Sequence, residues 1–329
     1  MSRKVAAFLA VLVVGVSVGV WLVQGGCRKN VLVVAASKDS SSVTVHYIDV
    51  GQGDSIFVDT PNIDVLIDGG PAPAGSTVLD YLDSLNITRI HLMVATHVHE
   101  DHIGGLVAVL NSTTNVDEVL INNQTYTSIT YTNFMNLAQS HTITVAQRGQ
   151  TFNLTETANL TVFNPVQSLE FTSRNDNSVV VKLQVGNTSF LFTGDAEADA
   201  EQSMLDAGLD LQSDILKVGH HGSQSSTTQP FLDSVAPSYA IISAGEDNPY
   251  GHPHQETIQK LLAKGVTVYG TFLSGTIIAS TDGTSVIFED SPEPIPEFQS
   301  SIILPIFMIA TLLAAIVYRR KHLVQHLES

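Results

Sequence analysis

The sequence predicts an α/β fold in which two β-sheets pack face to face with helices on both outer sides, an αββα four-layer sandwich. Three observations carry that prediction. Short apolar runs bounded by Gly, Pro, Asn and Asp recur through residues 43–290 and fall in two similar halves, with helical patterns between them. A stretch of about 250 residues can bury a full core, and the single cysteine, Cys27, rules out an internal disulfide as a staple. Clusters of His and Asp follow directly on two of the apolar runs, where loops leave strand ends. Two such halves, each a sheet with helices outside, would bury the sheets against one another.

Taken in order, residues 43–49, 55–59 and 65–68 read as a β-meander, 77–85 as a helix, and 90–95 as a buried strand. Thr96 onward is the loop leaving that strand. A helix begins near Leu106, once Gly104-Gly105 has let the backbone pack closely. Residues 111–132 are polar and rich in Asn and Thr, and carry no assigned element. Strands recur at 160–163, 179–185 and 189–193. The closing part alternates strand 215–217, helix 229–235, strand 239–243, helix 255–263 and strand 266–269, before a hairpin of 276–280 with 285–288.

The chemistry concentrates in Thr96-His97-Val98-His99-Glu100-Asp101-His102-Ile103-Gly104-Gly105, which holds three of the chain's twelve histidines within six positions. In an extended segment residues i and i+2 point the same way, so His97 and His99 can converge on one ion while Asp101 and His102 turn toward a second. Imidazole and carboxylate together suit zinc, and also manganese or iron. The expectation is therefore two divalent metal ions.

Four more motifs flank this one: Asp49-Val50-Gly51-Gln52-Gly53-Asp54, Phe192-Thr193-Gly194-Asp195-Ala196-Glu197, Lys217-Val218-Gly219-His220-His221-Gly222-Ser223 and Tyr250-Gly251-His252-Pro253-His254. His-x-His-x-Asp-His is the signature of the metallo-β-lactamase fold superfamily. The ordered set resembles the soluble domain of ComEC-type competence proteins and their stand-alone relatives, over about residues 43–290. That resemblance implies a metal-dependent hydrolase in which His97 and His99 bind the first metal, Asp101 and His102 the second, and Asp195 bridges both.

One of His220 and His221 completes the second metal. Adjacent residues on an extended segment point in opposite directions, so only one is a ligand; His220 is favoured, leaving His221 to orient substrate or donate a proton. Many superfamily members add a histidine to the first metal just before the strand that here begins near Ser178. This chain has Arg174-Asn175-Asp176-Asn177-Ser178 instead, as competence-type domains do, which leaves that position to Asn, Asp or water. The catalytic set is Asp101, His221 and His252, and Asn177, Ser223 and His254 are the substrate contacts. His252 and His254 are candidates for protonating a leaving group or gripping an anion. Asp54 is placed behind the metal ligands, or in a purely structural turn.

The chain ends point to a membrane. Residues 1–42 hold Arg3-Lys4 and an apolar stretch over 5–23, long enough to span a bilayer and compatible with an export signal. A Pro-rich linker, 291–301, precedes a tail, 302–329, with an apolar run over 302–318 and then Arg319-Arg320-Lys321. Basic outer flanks put both termini in the cytoplasm and the 43–290 domain on the extracellular side of the cell membrane. Pro296-Glu297-Phe298, an apolar span and a basic end are similar to the C-terminal sorting signals of some archaeal surface proteins. Asn-x-Ser/Thr sequons at Asn86, Asn111, Asn123, Asn153, Asn159 and Asn187 fit an exported domain.

Of the fifteen basic residues only seven fall within 43–290, against twenty-eight of the thirty-two acids, so this segment carries a formal charge of −21. Such a surface repels polyanions at long range and offers no general electrostatic footprint for nucleic acid. The resulting expectation is a membrane-anchored, extracytoplasmic two-metal phosphodiesterase or nuclease. Its substrate is a small-molecule phosphoester or a nucleic acid, and no protein partner is implied. The alternatives are a surface hydrolase of a non-nucleic ester, lactone or lipid-linked phosphate, and a non-enzymatic module with a degenerate metal site.

Overall fold

Period-two burial builds the first sheet of this computed structural model, which describes residues 42–166 and 169–296. Along β1 (Val43–Tyr47), Val43, Val45 and Tyr47 all point into the layer between the sheets. β1 pairs antiparallel with β2 (Ile56–Asp59), and β2 with β3 (Val65–Ile67). After the helix α1 (Gly75–Ser84) the sheet continues in parallel through β4 (Arg89–Ala95), α2 (Glu100–Leu110), β5 (Asn115–Ile121), α3 (Ile129–Ala138) and β6 (Thr142–Val145).

The second sheet starts antiparallel, with β7 (Thr151–Asn153), β8 (Ala158–Asn164), β9 (Val180–Val185) and β10 (Thr188–Phe192). It turns parallel after α4 (Ala198–Asp206), through β11 (Ile215–Lys217), α5 (Gln229–Val235), β12 (Tyr239–Ile242), α6 (Gln255–Ala263) and β13 (Thr267–Gly270). The hairpin β14 (Ile277–Thr281) and β15 (Val286–Phe288) then crosses back, and β14 pairs with β1 in the first sheet.

Three apolar layers separate the four layers of structure. Residues from both sheets, among them Val45, Val94, Phe190 and Phe192, fill the middle. Met93, Leu106 and Phe134 pack the first sheet against α1 to α3; Leu191, Met204, Phe231 and Leu261 pack the second against α4 to α6. β10 is buried on both faces, with Phe190 and Phe192 turned inward and Leu191 outward. Each such side chain contributes about 1.5–3 kcal/mol by leaving water. The αββα expectation holds.

Five of the polar clusters leave the C-terminal ends of strands with a parallel neighbour: Asp68 after β3, the histidine motif after β4, Asp195 after β10, His220 and His221 after β11, and His252 beyond β12, while Asp54 sits between the antiparallel β1 and β2 and Asn175 ahead of β9. Close backbone packing brings the first two together. A Cβ on Gly105 would lie 1.8 Å from the Gly69 carbonyl oxygen, so α2 sits directly on the turn after β3.

Local differences from the sequence reading have plain causes. α2 begins at Glu100, not near Leu106, so Asp101 and His102 ride its first turn, with Glu100 and Asp101 at the favourable end of the helix dipole. Residues 111–132 are not featureless: they hold β5, whose half-exposed Asp117 and Glu118 mask the strand pattern, and the start of α3, capped where Ser128 Oγ accepts the Tyr131 N–H. β6, β7 and α4 were also not expected. Among the described residues no helix is long and apolar enough to cross a membrane, and the two apolar segments at the chain ends lie outside the described residues, as does most of the sorting-type tail.

Candidate metal centre

Asp68 follows β3 in a left-handed turn (φ 57) and is completely buried. Its Oδ1 accepts the Thr96 N–H at 2.8 Å; its Oδ2 accepts the Thr96 hydroxyl at 2.6 Å and His102 Nδ1 at 2.8 Å. With Nδ1 engaged, His102 presents Nε2 to Asp195 Oδ1, 3.2 Å away.

Asp54 stands behind His221, whose ring is held by the Ser243 carbonyl. Its backbone N–H donates to the Asp101 carbonyl, which fixes the 51–54 turn against α2. Its Oδ1 lies 3.2 Å from His221 Nδ1, which donates to the Ser243 carbonyl at 2.9 Å. Its Oδ2 is 2.5 Å from Lys217 Nζ, a fully buried ammonium at the end of β11 that also donates to the Val218 carbonyl. His221 Nε2 therefore faces inward, 3.4 Å from Asp101 Oδ2 and 3.4 Å from Asp195 Oδ1.

The other oxygen of Asp195 looks toward different imidazoles. Asp195 Oδ2 lies 3.5 Å from His97 Nε2 and 3.8 Å from His220 Nε2, and His97 Nε2 is 3.0 Å from His99 Nδ1. His220 Nδ1 is 3.0 Å from Glu197 Oε1. Asp195 itself is reached through Gly194, whose φ of 52 and whose contacts with Thr96 and Ser178 leave no room for a side chain.

The His-His pair does not lie on an extended segment. His220 and His221 both adopt left-handed backbone (φ 47 and 53), a conformation that costs about 1–2 kcal/mol per non-glycine residue and persists only where its surroundings demand it. The structure brings His221, rather than His220, against Asp101 and His102, while His220 stays on the Asp195 Oδ2 side.

Donor chemistry fits cations. Asp195 Oδ1, His102 Nε2 and His221 Nε2 are buried and have no partner in hydrogen-bonding geometry, although they lie close together. Both rings have Nδ1 occupied, so it is their Nε2 atoms that converge on one carboxylate. Close donor clusters are His97/His102/Asp195, Asp101/His102/His221 and Asp54/Asp195/His221, each with donor atoms within 4.8 Å. A fourth is Asp54/Asp68/His102, in which both Asp68 oxygens are already engaged by Thr96 and His102.

Electrostatics point the same way. Burial works against charge on His221, yet Asp195, Asp54 and Asp101 carry its ring up to about 10. Burial likewise opposes charge on His102, and Asp195, Asp68 and Asp101 outweigh it, so this ring is raised well above the ordinary histidine range. Burial would raise Asp101, but His102 and His221 hold its carboxyl well below the usual range. His97 is the reverse case: burial, reinforced by His102, keeps it neutral. Four carboxylates in one dry cluster demand positive charge.

A cavity of about 540 Å³ opens over Asp195, lined also by Gln52, Pro71, Asn175, Tyr250 and His252. His252 is pressed down to about 4 by burial, with His220 and His221 adding to the effect. Three expected substrate contacts do not line this cavity. Asn177 uses its whole amide on the turn, donating to the Phe171 and Ser173 carbonyls and accepting the Phe171 N–H. Ser223 Oγ pairs with Ser225, and His254 Nδ1 accepts the Gln224 N–H at the start of α6. Asp176 also turns away, accepting the Glu197 and Ala200 N–H groups at the start of α4. Asn175 is the member of that run that faces the centre, with Nδ2 3.4 Å from His220 Nδ1.

Asp68, Lys217 and Glu197 were not expected to support the centre. Ile67-Asp68-Gly69-Gly70 carries the same strand, Asp and Gly signal as the run through Asp195, and a lysine closing a fully buried strand signals a partner acid.

This fold and this set of histidines and aspartates define a class, and the sequence profile of the metallo-beta-lactamase superfamily matches residues 48–246. The chain belongs to that superfamily. It is 32% identical over 258 residues to ComE operon protein 3 of Bacillus subtilis, covering 72% of this chain and 33% of that one. It is 29% identical over 247 residues to competence protein ComA of Neisseria gonorrhoeae (74% and 33% covered), and 30% identical over 238 residues to recombination protein 2 of Haemophilus influenzae (71% and 28% covered). The chain thus spans about a third or less of the length of these relatives, and the expected likeness to competence-type domains is borne out. Among solved structures, a metallo hydrolase of Ignicoccus hospitalis, Igni18, shares the fold with a TM-score of 0.50 at 16% identity, over 72% of this chain and 98% of that one.

Proposed function

We propose that this chain is a two-cation phosphodiesterase whose centre is bridged by Asp195 and displayed on the outer face of a membrane. One observation carries the reading: the two oxygens of a single buried carboxylate address two separate sets of imidazoles, His102 and His221 through Oδ1, His97 and His220 through Oδ2. The second cation is assigned to Asp101, His102, His221 and Asp195 Oδ1. The first is assigned to His97, His99 and Asp195 Oδ2, with His220 and Asn175 on its open side. His221 thereby takes the place that the sequence reading gave His220, and His220 stands in for the histidine missing before β9.

When bound, two divalent cations polarise a phosphoryl oxygen and lower the pKa of a water toward neutrality. The chain's own residues supply the geometry. Asp68 stops His102 from turning, and the Ser243 carbonyl, with Asp54 beside it, does so for His221; Thr96 and Lys217 hold the two carboxylates in place. His252, a neutral ring on the cavity wall whose Nδ1 has no hydrogen-bond partner among the described residues, can donate a hydrogen bond from its ring N–H to a phosphoryl oxygen of the substrate.

Competence and recombination, the words in the relatives' names, support nucleic acid as the phosphodiester. The segment's charge of −21 favours a second reading, a neutral ester or lactone. Tethering rests on the apolar stretches 5–23 and 302–318 and their basic flanks. The test is a panel on the purified full chain with zinc or manganese: bis-p-nitrophenyl phosphate, single- and double-stranded DNA, and lactones. Phosphodiester turnover that disappears with EDTA is expected. Turnover of lactones alone would replace the proposal with the second reading, and no turnover by cation-loaded protein would overturn both.

A further inference from the structure

Seven Lys and Arg side chains lie among the described residues, and six are committed. Arg89 pairs with Asp117, Lys182 with Asp210, Lys217 with Asp54 and Lys264 with Asp233, while Arg148 donates to the Phe163 carbonyl and Lys260 to the Thr227 carbonyl. Arg174 is different. Among the described residues its guanidinium meets no carboxylate or carbonyl; it lies over the ring of Tyr126, 4.5 Å from the centroid, and is exposed. Tyr126 in turn packs edge-on against His99, with ring centroids 6.1 Å apart. Arg174 also directly precedes Asn175, which lines the cavity.

The uncommitted cation in this acidic segment thus stands beside the metal centre, on an aromatic ledge that abuts His99. The same cavity is lined by Tyr250, 63% exposed, which stacks on His252 with centroids 5.8 Å apart and planes at 26°. A guanidinium with a half-buried ring beside His99, and an exposed ring at His252, suit a strand whose charges and planar groups alternate. A lactone or an isolated phosphoester would have no use for them.

We infer that Arg174 and Tyr126 form a substrate subsite beside the first-cation side of the centre, where Arg174 takes the phosphate adjoining the scissile one and Tyr126 stacks the attached base. Tyr250, on the cavity wall, offers a second stacking surface. This subsite rests on the phosphodiesterase reading and narrows it to single-stranded nucleic acid. It also resolves the conflict with the overall charge, because capture is local and needs no basic face. Arg174 and Tyr126 act as binding and specificity residues and take no part in bond cleavage.

The experiment compares the full chain with R174Q and R174K on two substrates: bis-p-nitrophenyl phosphate, which has one phosphate, and a labelled oligothymidylate. R174Q should raise KM for the oligonucleotide by about tenfold, with kcat and the aryl phosphodiester kinetics within about twofold of wild type. Loss of one single-strand phosphate contact should also flatten the slope of log(1/KM) against log salt by about 0.7, and R174K should restore that slope. An unchanged KM and salt slope in R174Q, or equal damage to both substrates, would overturn this subsite while leaving the phosphodiesterase reading in place. If wild type turns over neither substrate, the phosphodiesterase reading fails and this inference falls with it.

Discussion

Glu201 offers a test of the packing account that is independent of the metal centre. It lies in α4 at 1% exposure, with its carboxylate accepting the Thr227 and Thr228 N–H groups ahead of α5. Burial pushes its pKa to about 7, against the pull of those N–H groups and of Lys260. In the unfolded chain the group returns to its ordinary value of 4.5. The folded state therefore holds this proton more tightly, so its contribution is fully present below about pH 4 and is lost as pH rises through about 7. A shift of about 2.5 pH units at 1.36 kcal/mol each makes the loss about 3 kcal/mol. E201Q cannot titrate, and it leaves one backbone N–H without an acceptor, a pH-independent cost of about 1–3 kcal/mol. Urea unfolding of both proteins in EDTA at pH 4, 6, 7 and 8 should show the stability difference between them changing by about 3 kcal/mol across the series. Parallel curves would refute the assignment of a protonated, buried Glu201.

Three further outcomes follow from particular contacts. F190A removes a fully buried ring from the layer between the sheets and should cost about 3–5 kcal/mol by urea unfolding; a loss under about 1 kcal/mol would mean that this layer is not packed as described. K217M leaves Asp54 buried without its ammonium and should cost about 3–5 kcal/mol, most of it recovered in the double variant D54N/K217M; an equal loss in both would contradict the pairing. H221A should lose the second cation entirely, whereas H220A should keep it and weaken the first about 10–100-fold in a metal titration; the reverse pattern would restore the sequence-based order of the two histidines.

Much of this molecule was legible because its strands are short, apolar and bounded by turn residues. β4 and β10 announce themselves, and each delivers a polar cluster at its end: His97 to His102 after one, Asp195 after the other. What local pattern could not supply is orientation. The run from His97 to His102 reads as one loop, yet the helix starts inside it, at Glu100, and the acidic pair Glu100-Asp101 was the available signal. His220 and His221 were judged as an extended pair, and their left-handed backbone reversed which ring meets Asp101.

The residues missed or misplaced are those whose meaning depends on distant neighbours. Asp68 reaches His102 across thirty-four positions, and Lys217 reaches Asp54 from the opposite sheet. Asn177 looked like a substrate contact because asparagine beside a metal motif suggests one. Its amide is instead spent on three backbone groups within its own turn. Arg174 had no sequence signal of its own. Its significance appears only once the other six Lys and Arg among the described residues are seen to be engaged.

The central claim is a centre of two cations joined by one carboxylate, and metal stoichiometry tests it most directly. The full chain saturated with zinc and dialysed to remove loose ion should retain two equivalents by elemental analysis, and D195A should retain at most one while keeping its secondary structure by circular dichroism. A wild-type chain holding a single equivalent, or D195A still holding two, would contradict the account.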